Sequence, residues 1–210
     1  MIMDGVIDVI TGAEIGAAIQ PLMNGLDTPK VQRFPLAVNR VRYAGEWVCA
    51  VVAETRAIAE DALEKIIIDA TPQPFVLDAE EALLPSSPPV HPEHGSNILL
   101  DRKFVWGTVG EDFVNAEHNL SFSVIWGRNS TVPIETFGVV AEWNGWDNIL
   151  DVWASVQMPK YSDQIARCLN LPGNAVRVHY DVDVGGSYGV KRGIKHATLI
   201  GYIARKLGRP

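Results

Sequence analysis

An α+β fold in two successive parts is what this sequence predicts, and three observations carry the prediction. An apolar run, a capped amphipathic stretch and a second apolar run follow one another within Trp47–Ile68. A proline-rich stretch from Pro72 to Pro92 then breaks the pattern. Beyond it, short strand-like runs alternate with turn signals and helical stretches, and the chain finishes on a glycine-rich loop and a long amphipathic helix. Mixed strands and helices on either side of a proline-rich connection describe two small layered units.

Taken in order, Val6–Ile10 is a strand-like run, and Thr11-Gly12-Ala13-Glu14 has capping-box spacing, so a short helix follows. Asn24-Gly25 and Thr28-Pro29 mark a loop. Trp47–Ala53 is nearly all apolar and predicts a strand buried on both faces. Thr55 caps a helix over roughly 56–65, with Ile58, Ala62 and Ile66 at helical spacing. Ile66-Ile67-Ile68 then predicts a further strand, completing a βαβ-like unit. Pro85-Ser86-Ser87-Pro88-Pro89 predicts an extended, poorly helical connection over about 84–100.

In the second part, Leu120–Trp126 alternates as a half-buried strand would. Arg128 and Glu135 flank Pro133, and Gly138–Trp143 is another strand. Asn144–Asn148 is a hairpin turn, and Ile149–Val156 returns and ends at Gln157. Ser162 caps a helix to about Leu169, which Leu171-Pro172-Gly173-Asn174 stops. Ala175–Tyr180 is a strand, and Lys191–Leu207 a helix with Ile194, Ala197, Gly201, Ala204 and Leu207 along one side.

Composition limits the function. The chain of 210 residues is 47% hydrophobic and 20% charged, as a folded globular protein is. A net charge of −7 without a Lys/Arg run argues against a nucleic-acid surface. No run of eighteen apolar residues predicts a membrane span, and Met1-Ile2-Met3-Asp4 does not open a secretory signal. Cys49 and Cys168 lie in apolar patterns and are expected to be reduced and packed, which makes the cytoplasm the default compartment. His91 and His94 have H-x-x-H spacing, but no helix or thiolate accompanies them, and a solvated loop is expected.

The chain is organised around Val152–Gly189. Gln157 sits where a strand leaves its sheet, and some thirty residues later Gly185-Gly186-Ser187-Tyr188-Gly189 follows another apolar run. Successive backbone N–H groups in such a loop form an anion-binding concavity. The loop is neither G-x-G-x-x-G, because Ser187 interrupts it, nor a P-loop. By pattern alone it serves either as a tight strand-to-helix turn or as a ligand loop.

Several motifs occur together in a familiar order. They are Arg42-Tyr43-Ala44-Gly45-Glu46, Val51–Ala57, Ala59-Glu60-Asp61-Ala62, Val132-Pro133-Ile134-Glu135 and Ala141-Glu142-Trp143. Ser155-Val156-Gln157, Leu169–Pro172, Val176-Arg177-Val178, Asp183–Lys191 and Ala204–Pro210 follow. The chain resembles the large subunit of the molybdenum hydroxylases, the family of xanthine dehydrogenase, aldehyde oxidase and aerobic carbon monoxide dehydrogenase. The resemblance implies a hammerhead-like domain over 1–84 that begins inside that domain, a linker over 85–100, and the first part of a molybdopterin-binding domain over 101–210.

It also implies a role for each residue of the central stretch. Gln157 would lie by the molybdenum centre. Gly185, Gly186, Ser187 and Gly189 would present backbone amides to the pterin or the metal ligands, and Tyr188 would pack beside the substrate channel. No residue of the chain would ligate the metal. The family's loop is usually Gly-Gly-Gly-Phe-Gly, so Ser187 and Tyr188 are departures that bear on substrate choice. Arg192 stands near the point where xanthine-oxidising members carry an acid, which argues against xanthine. The family's glutamate base has no counterpart here and is expected beyond the chain end; Glu135 and Glu142 are expected to be structural or surface carboxylates.

The implied cofactor is molybdenum-molybdopterin in its cytosine dinucleotide form, with FAD and [2Fe-2S] on partner subunits in a dimer of heterotrimers. The implied activity of the parent complex is hydroxylation of an aldehyde or N-heterocycle with water-derived oxygen. The competing expectation is a truncated or split, non-catalytic module that binds a complementary chain; a small autonomous ligand-binding domain is the third.

Overall fold

The computed structural model describes residues 3–22, 31–127, 132–180 and 183–210. The loop read at Asn24-Gly25 and Thr28-Pro29, and residues Arg128, Asp181 and Val182, lie outside the described residues. The fold is α+β, as predicted. Strand β1 (Val6–Thr11) pairs antiparallel with β2 (Cys49–Ala53), with a register shift between Val6 and Asp8. Between them lies helix α1 (Gly12–Ala18), where the Thr11 side chain accepts a hydrogen bond from the Glu14 N–H, as the capping pattern requires. Helix α2 (Arg56–Leu63) starts the same way, Thr55 accepting from the Ile58 N–H.

Two expectations for this part are corrected. Strand β2 is only half-buried throughout, because it faces a single partner strand and one helix. Ile66–Ile68 is not a strand: Ile67 is 92% exposed, and β2 pairs with β1 rather than with a strand following α2. Three isoleucines in a row have strand propensity, but propensity needs a neighbouring ladder to become a strand.

The proline-rich connection is turned rather than extended. After a short helix α3 (Ala79–Ala82), Asn97 ties it together. Its side chain donates to the Ala82 and Pro88 carbonyls at 3.1 and 3.2 Å and accepts from the Val90 N–H at 2.8 Å. Helix α4 (Val109–Asn115) follows and buries none of its residues. Leu120–Trp126 forms no strand; Leu120, Phe122 and Trp126 are all exposed, as is Ile125.

The second sheet has three strands. Strands β3 (Val139–Asn144) and β4 (Ile149–Ala154) form the predicted hairpin around the Asn144–Asn148 turn. Helix α5 (Tyr161–Cys168) carries the chain to β5 (Val176–His179), which pairs parallel to β4. The βαβ unit of this protein is therefore β4–α5–β5. Ser162 is not the cap of α5; the helix begins two residues earlier than that cap would place it, at Tyr161 after Lys160, without a side-chain cap. Helix α6 (Lys195–Leu207) packs across β3 and β4, and Gly208 ends it in the left-handed conformation at φ 61°. Residues 191–194, read as its first turn, instead include a 3₁₀ turn over Val190–Arg192.

One core serves both parts. Ile10, Ile15, Ile19 and Leu36 from the first belong to the same buried cluster as Leu150, Val152, Tyr161, Ile165 and Ala197 from the second. Polar ties cross the same junction. The Gln20 N–H donates to the Cys168 carbonyl at 2.8 Å, the Tyr202 hydroxyl to Glu14 at 2.7 Å, and the Lys206 ammonium to Asp8 and Glu14 at 2.6 and 2.8 Å. Cys49 and Cys168 form no disulfide; Cys168 is buried, and burial pushes the Cys49 thiol pKa up.

Candidate functional site

Parallel pairing builds the site. Because β4 and β5 run the same way, the segments that follow their carboxyl ends emerge at one edge of the sheet. Gln157 follows β4 and the glycine loop follows β5. The two meet through the backbone, where the Gln157 N–H donates to the Lys191 carbonyl at 3.3 Å. The Gln157 side chain is exposed and makes no hydrogen bond among the described residues.

The loop has an unusual backbone. Tyr188 is held at φ 47°, a left-handed conformation that costs a residue with a Cβ roughly 1–2 kcal/mol. Gly189 follows at φ 99°, where a side chain would be strained although the space is open. Some amides of the loop are already engaged: Gly185 N–H donates to Glu135 Oε2 at 2.9 Å and Val190 N–H to the Ser187 carbonyl at 2.9 Å. Ser187 Oγ accepts from the Lys191 N–H at 3.2 Å, which gives the departure at this position a local use in tying the loop to the 3₁₀ turn that follows. The N–H groups of Gly186, Ser187, Tyr188 and Gly189 have no acceptor among the described residues. Among the described residues these are four consecutive donors without an acceptor and a side-chain amide without a partner, which suit a polar, anionic group, so the residues present fit a molybdenum–pterin cofactor.

Glu135 and Lys191 anchor this arrangement, and the sequence pattern did not single out either for it. Lys191 is fully buried, and its ammonium donates to Glu135 Oε1. Glu135 also accepts from Gly185 N–H and from Ser155. The Lys191 ammonium, and after it the Gly185 N–H, hold the Glu135 carboxyl below the usual carboxylate range. Glu135 thus joins the segment before β3, the end of β4 and the glycine loop. Glu142 lies exposed on β3. His91 pairs with Glu93 and His94 with the Ile98 carbonyl, at 3.1 Å each. Among the described residues no group of three or more His, Cys, Asp or Glu side chains converges.

Several clefts open among the described residues, and two of them are spacious. One of about 740 Å³ lies between the 37–48 and 68–76 segments, with no residue of the glycine loop in its wall. The other, about 560 Å³, is bounded by Gly189, Arg192 and Ile194 on one side and Arg33, Phe34 and Tyr43 on the other.

Comparison with known proteins shows the family of both parts. Residues 90–210 match the molybdopterin cofactor-binding domain, and residues 2–74 match the a/b hammerhead domain of aldehyde oxidase and xanthine dehydrogenase. The chain belongs to the molybdenum hydroxylase family. It is 36% identical over 176 residues to the 6-hydroxypseudooxynicotine dehydrogenase complex subunit gamma of Paenarthrobacter nicotinovorans, an alignment covering 83% of this chain and 22% of that protein. Human aldehyde oxidase is 30% identical over 212 residues, covering 99% of this chain and 15% of that one. The crystal structure of quinoline 2-oxidoreductase from Pseudomonas putida 86 superposes with a TM-score of 0.85 at 28% identity, over 99% of this chain and 27% of that one. The chain therefore spans about a fifth of the length of the curated relatives it matches. No helix among the described residues is long and apolar enough to cross a membrane.

Proposed function

We propose that this molybdenum hydroxylase chain forms part of an oxidoreductase subunit that hydroxylates an aldehyde or N-heterocycle. The observation that carries the reading is the run of N–H groups over Gly186–Gly189 that have no acceptor among the described residues, in the loop that meets the Gln157 backbone. In this reading residues 1–84 form the hammerhead part, 85–100 the connection and 101–210 the first part of the cofactor-binding part. The overall change inserts water-derived oxygen into a C–H bond and releases two electrons and two protons; the bound molybdenum–pterin group supplies the two-electron redox chemistry. The chain's own residues bind and orient. Gln157 offers its side-chain amide, Gly185, Gly186, Ser187 and Gly189 shape and line the cradle, and Tyr188 walls the approach. Glu135 and Lys191 hold the cradle in place.

The cytosine dinucleotide form of the pterin, an iron–sulfur subunit and an FAD subunit as electron acceptors, a dimer of heterotrimers and a cytoplasmic setting belong to the same proposal. The name of one relative, a dehydrogenase complex subunit, supports a multi-subunit assembly. The exposed run Leu120–Trp126 supports a second reading, in which the chain is a non-catalytic module completed by a complementary chain. The deciding experiment is elemental analysis of the native protein purified from its source, with and without Gln157→Ala. The first reading expects molybdenum in the wild-type protein and a 10- to 100-fold drop in metal retention or turnover on substitution. Native protein without molybdenum, bound to a second polypeptide, would establish the module instead.

A further inference from the structure

The cleft beside the glycine loop has a charge opposite to that of the molecule. The chain carries −7 overall, yet four cations, Arg33, Arg42, Arg192 and Lys195, line this cleft against one carboxylate, Glu46. Two of the four make no ion pair among the described residues. The Arg192 side chain makes no ion pair or hydrogen bond among the described residues. Lys195 lies 3.9 Å above the Trp47 ring and forms no ion pair there. The N-terminus of α6 opens on the same space, with Ile194 at its cap and no side chain satisfying its first N–H groups. A concave wall of one sign concentrates ions of the other.

The rest of the lining is apolar. Phe34, Tyr43, Met158 and Leu22 face the same space, so a bare inorganic anion would leave most of the wall unused. About 560 Å³ falls within the range of small-molecule sites. Gly189 is part of the wall, which makes the cleft continuous with the glycine loop.

We propose that this cleft binds an organic anion, a carboxylate carried on an aromatic or apolar body, and presents it to the glycine loop as substrate. That the anion is the substrate rests on the molybdenum reading above; that the cleft binds it does not. Arg192 and Lys195 read the carboxylate, while Phe34, Tyr43 and Met158 hold the body. The substrate class is then an aldehyde or N-heterocycle bearing an acid group.

The test is isothermal titration of the 210-residue chain with benzoate, beside benzyl alcohol as a neutral analogue and inorganic pyrophosphate as a mimic of cofactor phosphate. Saturable benzoate binding is expected, weakened about tenfold by Arg192→Gln and by Lys195→Gln, since a charge-assisted hydrogen bond is lost. Arg192→Lys should retain most of it, about 0.5 M KCl should weaken it, and benzyl alcohol should not bind. No benzoate binding, binding indifferent to both substitutions, or a preference for pyrophosphate over benzoate would overturn the assignment. In the molybdenum-loaded full-length protein, kcat/KM for 4-carboxybenzaldehyde should exceed that for benzaldehyde, and Arg192→Gln should shrink the ratio about tenfold. The titration needs no molybdenum, so a protein without the metal leaves its outcome intact, and failed titration leaves the metal content unaffected.

Discussion

Glu135 meets Lys191, Gly185 and Ser155 at one carboxylate, and its ionisation follows from that company. Its folded pKa is lowered, so its contribution to stability is complete above the unfolded value of about 4.3 and is lost as pH falls through the folded one. Glu135→Gln is expected to be less stable than the wild type at pH 7, with the gap closing below about pH 4. Urea titrations across that range would show it; a gap independent of pH would rule it out. His196 lies between Trp47 and Phe137, with ring centroids 4.8 Å from each. Burial, and then the neighbouring Lys195, lower its pKa. Protonation is therefore harder in the folded state, and stability drops as pH falls through about 6.5. His196→Gln is expected to flatten the stability profile between about pH 7 and 5. Of these residues, Gln157 and the glycine loop were legible in the sequence because their chemistry lies in residue type and local backbone. The Glu135–Lys191 pair was not, because what defines it is burial and a partner 56 residues away.

Several elements whose signals are local came out as read, although Ser162 did not cap α5. Thr11 and Thr55 cap their helices, and the Asn144–Asn148 turn closes its hairpin. Thr55→Ala should cost about 1 kcal/mol, measured by chemical denaturation. Gly12 is a harsher position: a Cβ there would sit 1.7 Å from the Ala37 carbonyl oxygen, so backbone must move. Gly12→Ala is expected to cost about 3 kcal/mol, and a loss below about 0.5 kcal/mol would show that the 37–38 segment yields freely. Two elements that depend on a partner were misread. Leu120–Trp126 alternates correctly and Ile66–Ile68 is β-prone, but periodicity states which face would be buried and not whether a ladder exists to pair with. The parallel β4–α5–β5 crossover, in turn, was hidden because its strands are short and their pairing is nonlocal.

Across the whole molecule, the proline-rich connection suggests two units, whereas the buried cluster runs through both. The sequence could not reveal this, since Ile10, Ile15 and Ile19 look like the private core of the first part until Leu150, Ile165 and Ala197 are seen against them. Leu150→Ala should therefore cost about 2–5 kcal/mol and lower the stability of β1–β2 together with that of β3–β5, visible as parallel loss of amide-exchange protection in both sheets. Loss confined to the second sheet would mean that the parts unfold separately. The shared core also sets a timetable during synthesis. Ile15 leaves the ribosome nearly 190 residues before Ala204, one of its companions in that cluster, a delay of roughly 10–40 s at ordinary translation rates. Through that interval the first apolar elements wait without their cover, which makes the nascent chain a client for chaperones that hold N-terminal segments.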